Sequence, residues 1–299
     1  MSLRVSSLSQ YQQTSQGLQA ALSRVQQVQQ QVSSGKTITR WSDDPASASA
    51  AERYRSEEAD WTMFGKSATD AKSWLSTADG ALQSMSSIMT RIKQLGVSAA
   101  SGALTSDSRE AIAQEVEQLR DQLKDLGNTT QLGRSVFGGF QPTALAQDAA
   151  GNVTFVGDAG QVKRQVSPTV TVAVNISAKD VFGFTAGAGQ DVFSQLTALA
   201  TATRAGNSAA IASTQTALES RHADMLKGLA QIGATANRVD QSVTTGQSAL
   251  QDLAGLRSER EDVDLADAVM RMSTAQAGYT AALGAASRAN LPSLADFLH

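Results

Sequence analysis

The sequence predicts an α+β fold in which both chain ends form a long antiparallel helical bundle or coiled coil, with a small β-rich domain inserted at its tip. Apolar residues recur in steps of three and four near both ends, which is typical of paired helices. Long proline-free stretches permit long helices between the ends and the middle. The middle changes to an alternating pattern rich in β-branched residues, which predicts strands.

Each chain end carries one predicted coiled-coil seam. The apolar members of the N-terminal seam are Leu8, Tyr11, Leu18, Leu22, Val25 and Val32, with Ser15 and Gln29 among them. Those of the C-terminal seam are Leu265, Val269, Met272, Tyr279, Leu283 and Ala286, with Gln276 among them. Polar members weaken both seams, and isolated helices are marginal in water. We therefore expect the two ends to pair with each other or with neighbouring molecules, so that both seams form an assembly interface.

Helix boundaries follow from capping residues. Asp44 before Pro45 predicts the start of a long helix, since aspartate caps well and proline suits the first helical position. Asp107 and Glu110 predict a capping box that opens a second helix. Gly127 and Asn128 are its expected stop. A further helical tract is expected over residues 191–260.

The β-rich insert is expected over residues 138–189. Its alternating runs are residues 153–155, 162–166 and 170–176, separated by turn formers such as Ser167-Pro168. Because helical sequence lies on both sides, the chain is expected to form three domains. These are the paired terminal helices (1–42 and 262–299), a long-helix bundle (43–137 and 190–261) and the insert.

Composition excludes several classes of protein. A net charge of −3 with no cluster of lysine and arginine argues against a nucleic-acid partner. Apolar runs are too short to span a bilayer, so no membrane partner is expected. Cysteine is absent, which excludes disulfides and thiolate chemistry. The N-terminus lacks the features of a cleaved secretory signal.

The search for chemistry predicts no catalytic, cofactor-binding or metal site. Residues 34–37 end like a phosphate-binding loop but lack its first glycine, so Gly35 is interpreted as a helix C-cap. Glu219 and His222 have the spacing of half a carboxylate-bridged metal site, without a second half, and are interpreted as a solvated helical face. The acidic residues between 259 and 267 lack the glycine of a calcium loop and are interpreted as a break between two helices.

The three tryptophans are expected to have different roles. Trp61 and Trp74 lie in helical tracts and are expected in the core. Trp41 lies in a polar link, where an aromatic side chain is expected to dock against another surface.

The link and the C-terminal segment resemble the flagellin superfamily, and within it the hook-associated protein 3 type. The link motif consists of Gly35, Lys36, Ile38, Arg40, Asp43, Asp44 and Pro45. Residues 261–266, the Gln-Ala-Gly-Tyr of 276–279 and the ending 293–298 are similar to the family's C-terminal segment. Residues 128 and 133–139 resemble its transition out of the ascending helices. Trp41 and Ser135 depart from the family's usual residues.

The resemblance implies a secreted, non-enzymatic building block of the bacterial flagellum, exported without a cleaved signal peptide. Its implied partners are further copies of itself in a ring, a neighbouring hook-associated junction protein, flagellin and a cytoplasmic export chaperone. No cofactor is implied. A flagellin filament subunit and a secreted coiled-coil effector or adaptor remain alternatives. Because joining distant ends has an entropic cost, we expect the terminal helices to stay largely disordered in the monomer and to fold on assembly.

Overall fold

The chain folds into seven helices and six short strands within the part described by this computed structural model. The described residues are 2–101, 104–149, 151–185, 187 and 189–289, without the side chains of residues 2–8, 10 and 289. The helices are α1 Ser2–Ser34, α2 Pro45–Ala99, α3 Ser106–Gly127, α4 Ala178–Val181, α5 Val192–Ala205, α6 Ser208–Glu261 and α7 Leu265–Ala289. The strands are β1 Thr130–Gln131, β2 Arg134–Ser135, β3 Leu145–Gln147, β4 Val153–Phe155, β5 Lys163–Gln165 and β6 Thr171–Ala173.

Two compact units divide these elements. The terminal unit comprises residues 1–60 and 249–299, and the central unit comprises residues 61–248. The three-domain division expected from the sequence remains a prediction.

In the terminal unit, α1 and α7 pack against each other. Lys36 after α1 and Asp262 before α7 form an antiparallel bridge. Farther along, Val28 and Ala21 of α1 line a common groove with Ala275 and Gly278 of α7. Because residue numbers rise on one helix as they fall on the other, the pair is antiparallel, as the sequence predicts.

A single apolar core runs through the central unit. Helix α2 contributes a buried stripe at helical spacing, which includes Trp74, Leu75, Leu82, Met85 and Ile92. Trp74 is buried as expected, whereas Trp61 is half-buried with its ring edge-on to Phe64 at 5.9 Å. Helix α3 packs against α5 over this core.

Two predicted helix boundaries need correction. Helix α3 is capped by Thr105, whose hydroxyl accepts from the Ser108 N–H at 3.2 Å. The predicted capping box fails because Asp107 already lies inside the helix, and Glu110 pairs with Arg204 of α5 at 2.9 Å. The tract expected over residues 191–260 is two helices, since Gly206 adopts φ +68° and ends α5.

The strands form three separate antiparallel hairpins, β1–β2, β3–β4 and β5–β6. Leu145 pairs with Phe155 in the second, and Lys163 pairs with Ala173 in the third. The first hairpin lies before residue 138, outside the predicted insert. Its strands of two residues each are too short for an alternating pattern to indicate them.

Candidate assembly interface

The seam between α1 and α7 is built from small and medium side chains. Its α1 members are half-buried and are Leu18, Ala21, Val25, Val28 and Val32. Its α7 members are the buried Ala268 and the half-buried Met272, Ala275, Tyr279, Ala282 and Ala286. Both rows follow steps of three and four, the spacing of paired helices.

The predicted seam uses two positions of each heptad, and the observed seam coincides with it at one of them. Leu18, Val25, Val32, Met272, Tyr279 and Ala286 are half-buried, as is Ser15. The other position is displaced by one residue, so that Ala21 and Val28 occupy the place predicted for Leu22 and Gln29. On α7, Ala275 and Ala282 likewise replace Gln276 and Leu283. Short side chains fit between two helices, whereas Leu22 and Leu283 face outward.

The larger apolar residues of the predicted seams form an outer ridge. We define the outer ridge as Tyr11, Leu22, Leu265, Val269 and Leu283, all of which are exposed. Tyr11 is 61% exposed, and Leu265 and Val269 are more than half exposed. The side chain of Leu8 and the ending 293–298 lie outside the described residues. Exposed apolar patches are a feature of protein–protein interaction sites. The assembly role of these residues remains a prediction.

The link after α1 is fastened to the turn before α7 by backbone hydrogen bonds. Gly35 ends α1 with φ +68°, a conformation that glycine adopts without steric cost. The Thr37 N–H donates to the Glu261 carbonyl at 2.6 Å, and the Val263 N–H donates to the Gly35 carbonyl at 3.0 Å. The link after α1 and the turn before α7 are thus joined by main-chain hydrogen bonds, which do not depend on the identity of the side chains.

Two aspartates order the rest of the link. The Asp43 carboxylate accepts from the N–H groups of Arg40 at 2.9 Å and Thr39 at 3.2 Å, and the Arg40 bond lowers its pKa. Asp44 accepts from the N–H groups of Ala46 and Ser47 and caps α2, which begins at Pro45 as predicted. Hydrogen bonds from Ser47 lower the pKa of Asp44. Both carboxylates therefore act on the backbone.

Glu261 is the charged centre of the terminal unit. It is only 3% exposed, and its carboxylate meets Lys36 Nζ at 2.9 Å and the Arg55 guanidinium. Arg257 lies 3.8 Å from the same carboxylate and 3.1 Å from Glu58. Burial raises the pKa of Glu261, but the hydrogen bonds from Lys36 and Arg55 outweigh it, so the pKa lies below its usual value.

The sequence pattern gives Glu261 no role of its own. It predicts a break between helices there, which the structure confirms, since α6 ends at Glu261 and Asp264 caps α7 by accepting from the Ala266 N–H at 2.9 Å. The available signal was the family-like segment 261–266, which resembles the flagellin superfamily together with the link. Because the link contains Lys36 and the segment contains Glu261, their resemblance to the same family was a signal that these two residues could be in contact.

A small polar cavity lies beside this cluster. Its volume is about 130 Å³, and it is lined by Ile38, Thr39, Arg40, Trp41, Ala48, Glu52, Arg55 and Glu261. Ile38 is half-buried, whereas Arg40 and Trp41 are exposed. Trp41 is 63% exposed, so its ring is available to another surface, and its docking there stays a prediction.

The remaining chemical candidates have structural roles. Glu219 is exposed, as the predicted solvated face requires, whereas His222 is half-buried. Glu219 pairs with Lys93 of α2, and His222 Nε2 lies 2.8 Å from the Ser86 hydroxyl, because this side of α6 packs against α2. Burial lowers the pKa of His222.

Within the described ranges, no three histidine or acidic side chains are grouped to hold a metal ion. No helix in those ranges has the length and apolar character to span a membrane.

The candidate interface combines four features of the described residues. Its components are an apolar seam, an exposed apolar ridge, a backbone bridge and one buried ion-pair cluster. These provide burial, hydrogen bonding and charge pairing, the interactions by which protein subunits associate.

Comparison with known proteins identifies the family. The bacterial flagellin N-terminal helical region matches residues 5–140, and the bacterial flagellin C-terminal helical region matches residues 215–298. Flagellar hook-associated protein 3 of Escherichia coli strain K12 is 28% identical over 181 residues, which cover 60% of this chain and 57% of that protein. A flagellin of Halalkalibacterium halodurans is 23% identical over 84% of this chain and 83% of its own length.

The fold agrees with these matches. The crystal structure of the flagellar junction protein FlgL from Legionella pneumophila superposes with a TM-score of 0.60 and 14% identity, covering 71% of this chain and all of that one. The two family matches contain the whole of α2, α3 and α7 and most of α1 and α6, which are the elements that carry the seam and the link. The chain therefore belongs to the bacterial flagellin family.

Proposed function

We propose that this protein is a structural subunit of the bacterial flagellum that joins the hook to the filament. The observation that carries the proposal is the outer ridge on the paired terminal helices, a row of large apolar side chains without cover in the single chain. An exposed apolar row on paired helices is a surface that a neighbouring subunit can bury. The hook-associated and junction names of the relatives favour the hook–filament position.

The proposed setting is a ring of identical subunits outside the cell, between a neighbouring hook-associated junction protein and flagellin. Export is proposed to proceed without a cleaved signal peptide, with a cytoplasmic chaperone bound beforehand. The role is non-enzymatic, because the terminal unit offers paired charges and apolar surface in place of a nucleophile and base.

A flagellin filament subunit is the second candidate. It is favoured by the match to the flagellin of Halalkalibacterium halodurans, which extends over more of this chain than the hook-associated match. A filament subunit would polymerise by itself into long filaments, whereas a junction subunit would stop at a short ring.

Deletion of the gene in the source bacterium tests the proposal. The expected cells carry bare hooks and release flagellin into the medium, and a plasmid copy of the gene restores filaments. Normal filaments on the deleted strain would contradict the proposal. Loss of the filament protein itself, with no flagellin in the medium, would identify the chain as the filament subunit.

A further inference from the structure

The helix pair α1–α7 has a groove as well as a ridge. The groove has a volume of about 460 Å³ and is lined by Ala21, Arg24, Gln27, Val28, Arg271, Thr274, Ala275 and Gly278. Small residues form its floor, and Arg24 and Arg271 stand at its walls. The groove can therefore receive side chains larger than those of its floor.

The groove and the outer ridge lie on opposite faces of the helix pair. At about 100° per residue, Leu22 is turned about 80° from the seam of α1 in one direction and Arg24 about 80° in the other. On α7, Leu283 and Gly278 diverge from the seam in the same two directions. Because the helices are antiparallel, the ridge residues of both helices share one face and the groove residues share the other.

Area argues that both faces are used at once. The exposed apolar surface of the ridge is on the order of 400 Å², the size of the largest patch on an ordinary monomer. A stable interface buries about 800 Å² from each partner, so the ridge alone is too small to hold a subunit. A subunit that contacts one neighbour through its ridge and another through its groove buries more surface in total than the ridge alone provides.

Charge selects which faces meet. Helix α1 contains no acidic residue, so a groove placed against a second groove would bring the Arg24 side chains of both copies together, whereas Arg271 is already paired with Asp267 of its own helix. The ridge carries no charge, since the polar residues interspersed with it are Ser15, Gln29 and Gln276. An uncharged ridge lets the arginine stems pack against it while their guanidinium groups stay in water.

We propose that the outer ridge of one copy of this chain seats in the groove of the next copy, a head-to-tail contact. A contact between two different faces repeats from copy to copy and closes into a ring or continues as a helix, whereas ridge against ridge would end in a two-copy unit. The inference rests on the proposed function and adds which surfaces of neighbouring copies meet.

Cysteine cross-linking tests the contact, because the chain contains no cysteine of its own. Differently tagged Leu22→Cys and Gly278→Cys chains are produced together in the deletion strain, and flagella isolated from it are oxidised. A Cβ at Gly278 meets no atom within 4 Å, so the substitution fits the fold. Thr274→Cys samples the groove one helical turn away. Ser23→Cys, a nearly isosteric change on the exposed outward side of α1, replaces Leu22→Cys as the matched control.

Disulfides require two Cα atoms within about 7 Å, so the Leu22→Cys mixture is expected to give about tenfold more two-tag product than the Ser23→Cys mixture. A disulfide-linked product formed between two Leu22→Cys chains would show that the ridge of one copy contacts the ridge of another, which would overturn the inference. The absence of any cross-linked product from isolated flagella would overturn it as well. Either result leaves the deletion phenotype, and with it the proposed function, intact.

Second-site suppression tests the same contact without oxidation. Gly278→Leu fills the groove and Leu22→Ala narrows the ridge, and each alone is expected to lower the amount of this chain in isolated flagella. Because the two faces meet between copies, the double variant is expected to recover several-fold over either single variant. A double variant no better than the poorer single variant would overturn the inference.

Discussion

Glu261 and Lys36 form an ion pair at 2.9 Å although 225 positions separate them along the chain. The pair joins the link that follows α1 to the turn that precedes α7. Backbone hydrogen bonds run beside it between Thr37 and Glu261 and between Val263 and Gly35. These bonds therefore hold the link after α1 and the turn before α7 together.

Replacing Glu261 is expected to destabilise the terminal unit. Glu261→Gln leaves Lys36 and Arg55 without their common partner, at a cost of about 1–2 kcal/mol. The cost is moderate because these side chains are 38% and 45% exposed and water screens them. Amide exchange around residues 35–37 and 261–263 measures it. Glu259→Gln, at an exposed position of the same helix, is the control, and equal effects of the two variants would contradict the role of Glu261.

The contribution of Glu261 to stability is expected to depend on pH. The pKa of Glu261 in the folded chain lies below its ordinary value of 4.5, so the folded state favours the ionised form. The stabilisation is therefore fully present above pH 4.5 and is lost as the pH falls through the folded pKa. Amide exchange of wild type and Glu261→Gln should differ at neutral pH and converge in acid. A gap that widens in acid would contradict this assignment.

Gly35 and Gly17 are expected to respond oppositely to alanine. Gly35 has φ +68°, so Gly35→Ala is expected to cost about 1–2 kcal/mol in the free energy of unfolding of the terminal unit. Gly17 is inside α1 with open space around it, so Gly17→Ala is expected to stabilise the helix by about 0.5–1 kcal/mol. Amide exchange of α1 in isolated flagella, where the helix is expected to be protected, measures both. Stabilisation by Gly35→Ala would show that the left-handed turn is not needed.

A charge on the outer ridge is expected to block assembly. Leu22→Asp places a carboxylate where a neighbouring subunit would bury a leucine, a loss of at least about 1.5–3 kcal/mol, or roughly tenfold or more in incorporation. Ser23→Asp is the control because its side chain is exposed on the outward side of α1. The amount of each variant in isolated flagella, relative to the amount secreted, measures the effect. Equal incorporation of the two variants would exclude Leu22 from the interface.

The terminal helices are expected to be the least protected helices of the dilute monomer. Their seam is half-buried and rich in alanine, so it buries little apolar surface, while pairing the distant ends has an entropic cost. Amide exchange over residues 18–32 and 269–283 should be fast in the monomer and slow in assembled flagella. Strong protection in the monomer would contradict folding on assembly.

The sequence predicts the helices better than the contacts between them. Helical spacing and the Asp44 cap place α1, α2 and α7 correctly. The spacing could not separate seam from ridge, because Ala21 and Leu22 fit the same pattern of three and four, and the choice depends on which side chain fits between two helices. Glu261 was hidden for a different reason, since its partners are distant in sequence.

Elements decided by one or two residues were also missed or misplaced. Gly206 divides the tract expected over residues 191–260, although a lone glycine inside a helical pattern is weak evidence of a break. Thr105 caps α3 by accepting from the Ser108 N–H, which places Asp107 inside the helix. Both boundaries are set by a single local capping residue, and the sequence offers other capping residues beside each of them.

The bridge between the link and the turn before α7 also has a mechanical consequence. Its two backbone hydrogen bonds and the Lys36–Glu261 ion pair all connect the same two short segments. A force that slides α1 along α7 loads these bonds side by side, so they must break together instead of one after another. The joint therefore resists shear with the sum of their strengths, and it is weaker against a force that peels the two segments apart from one end.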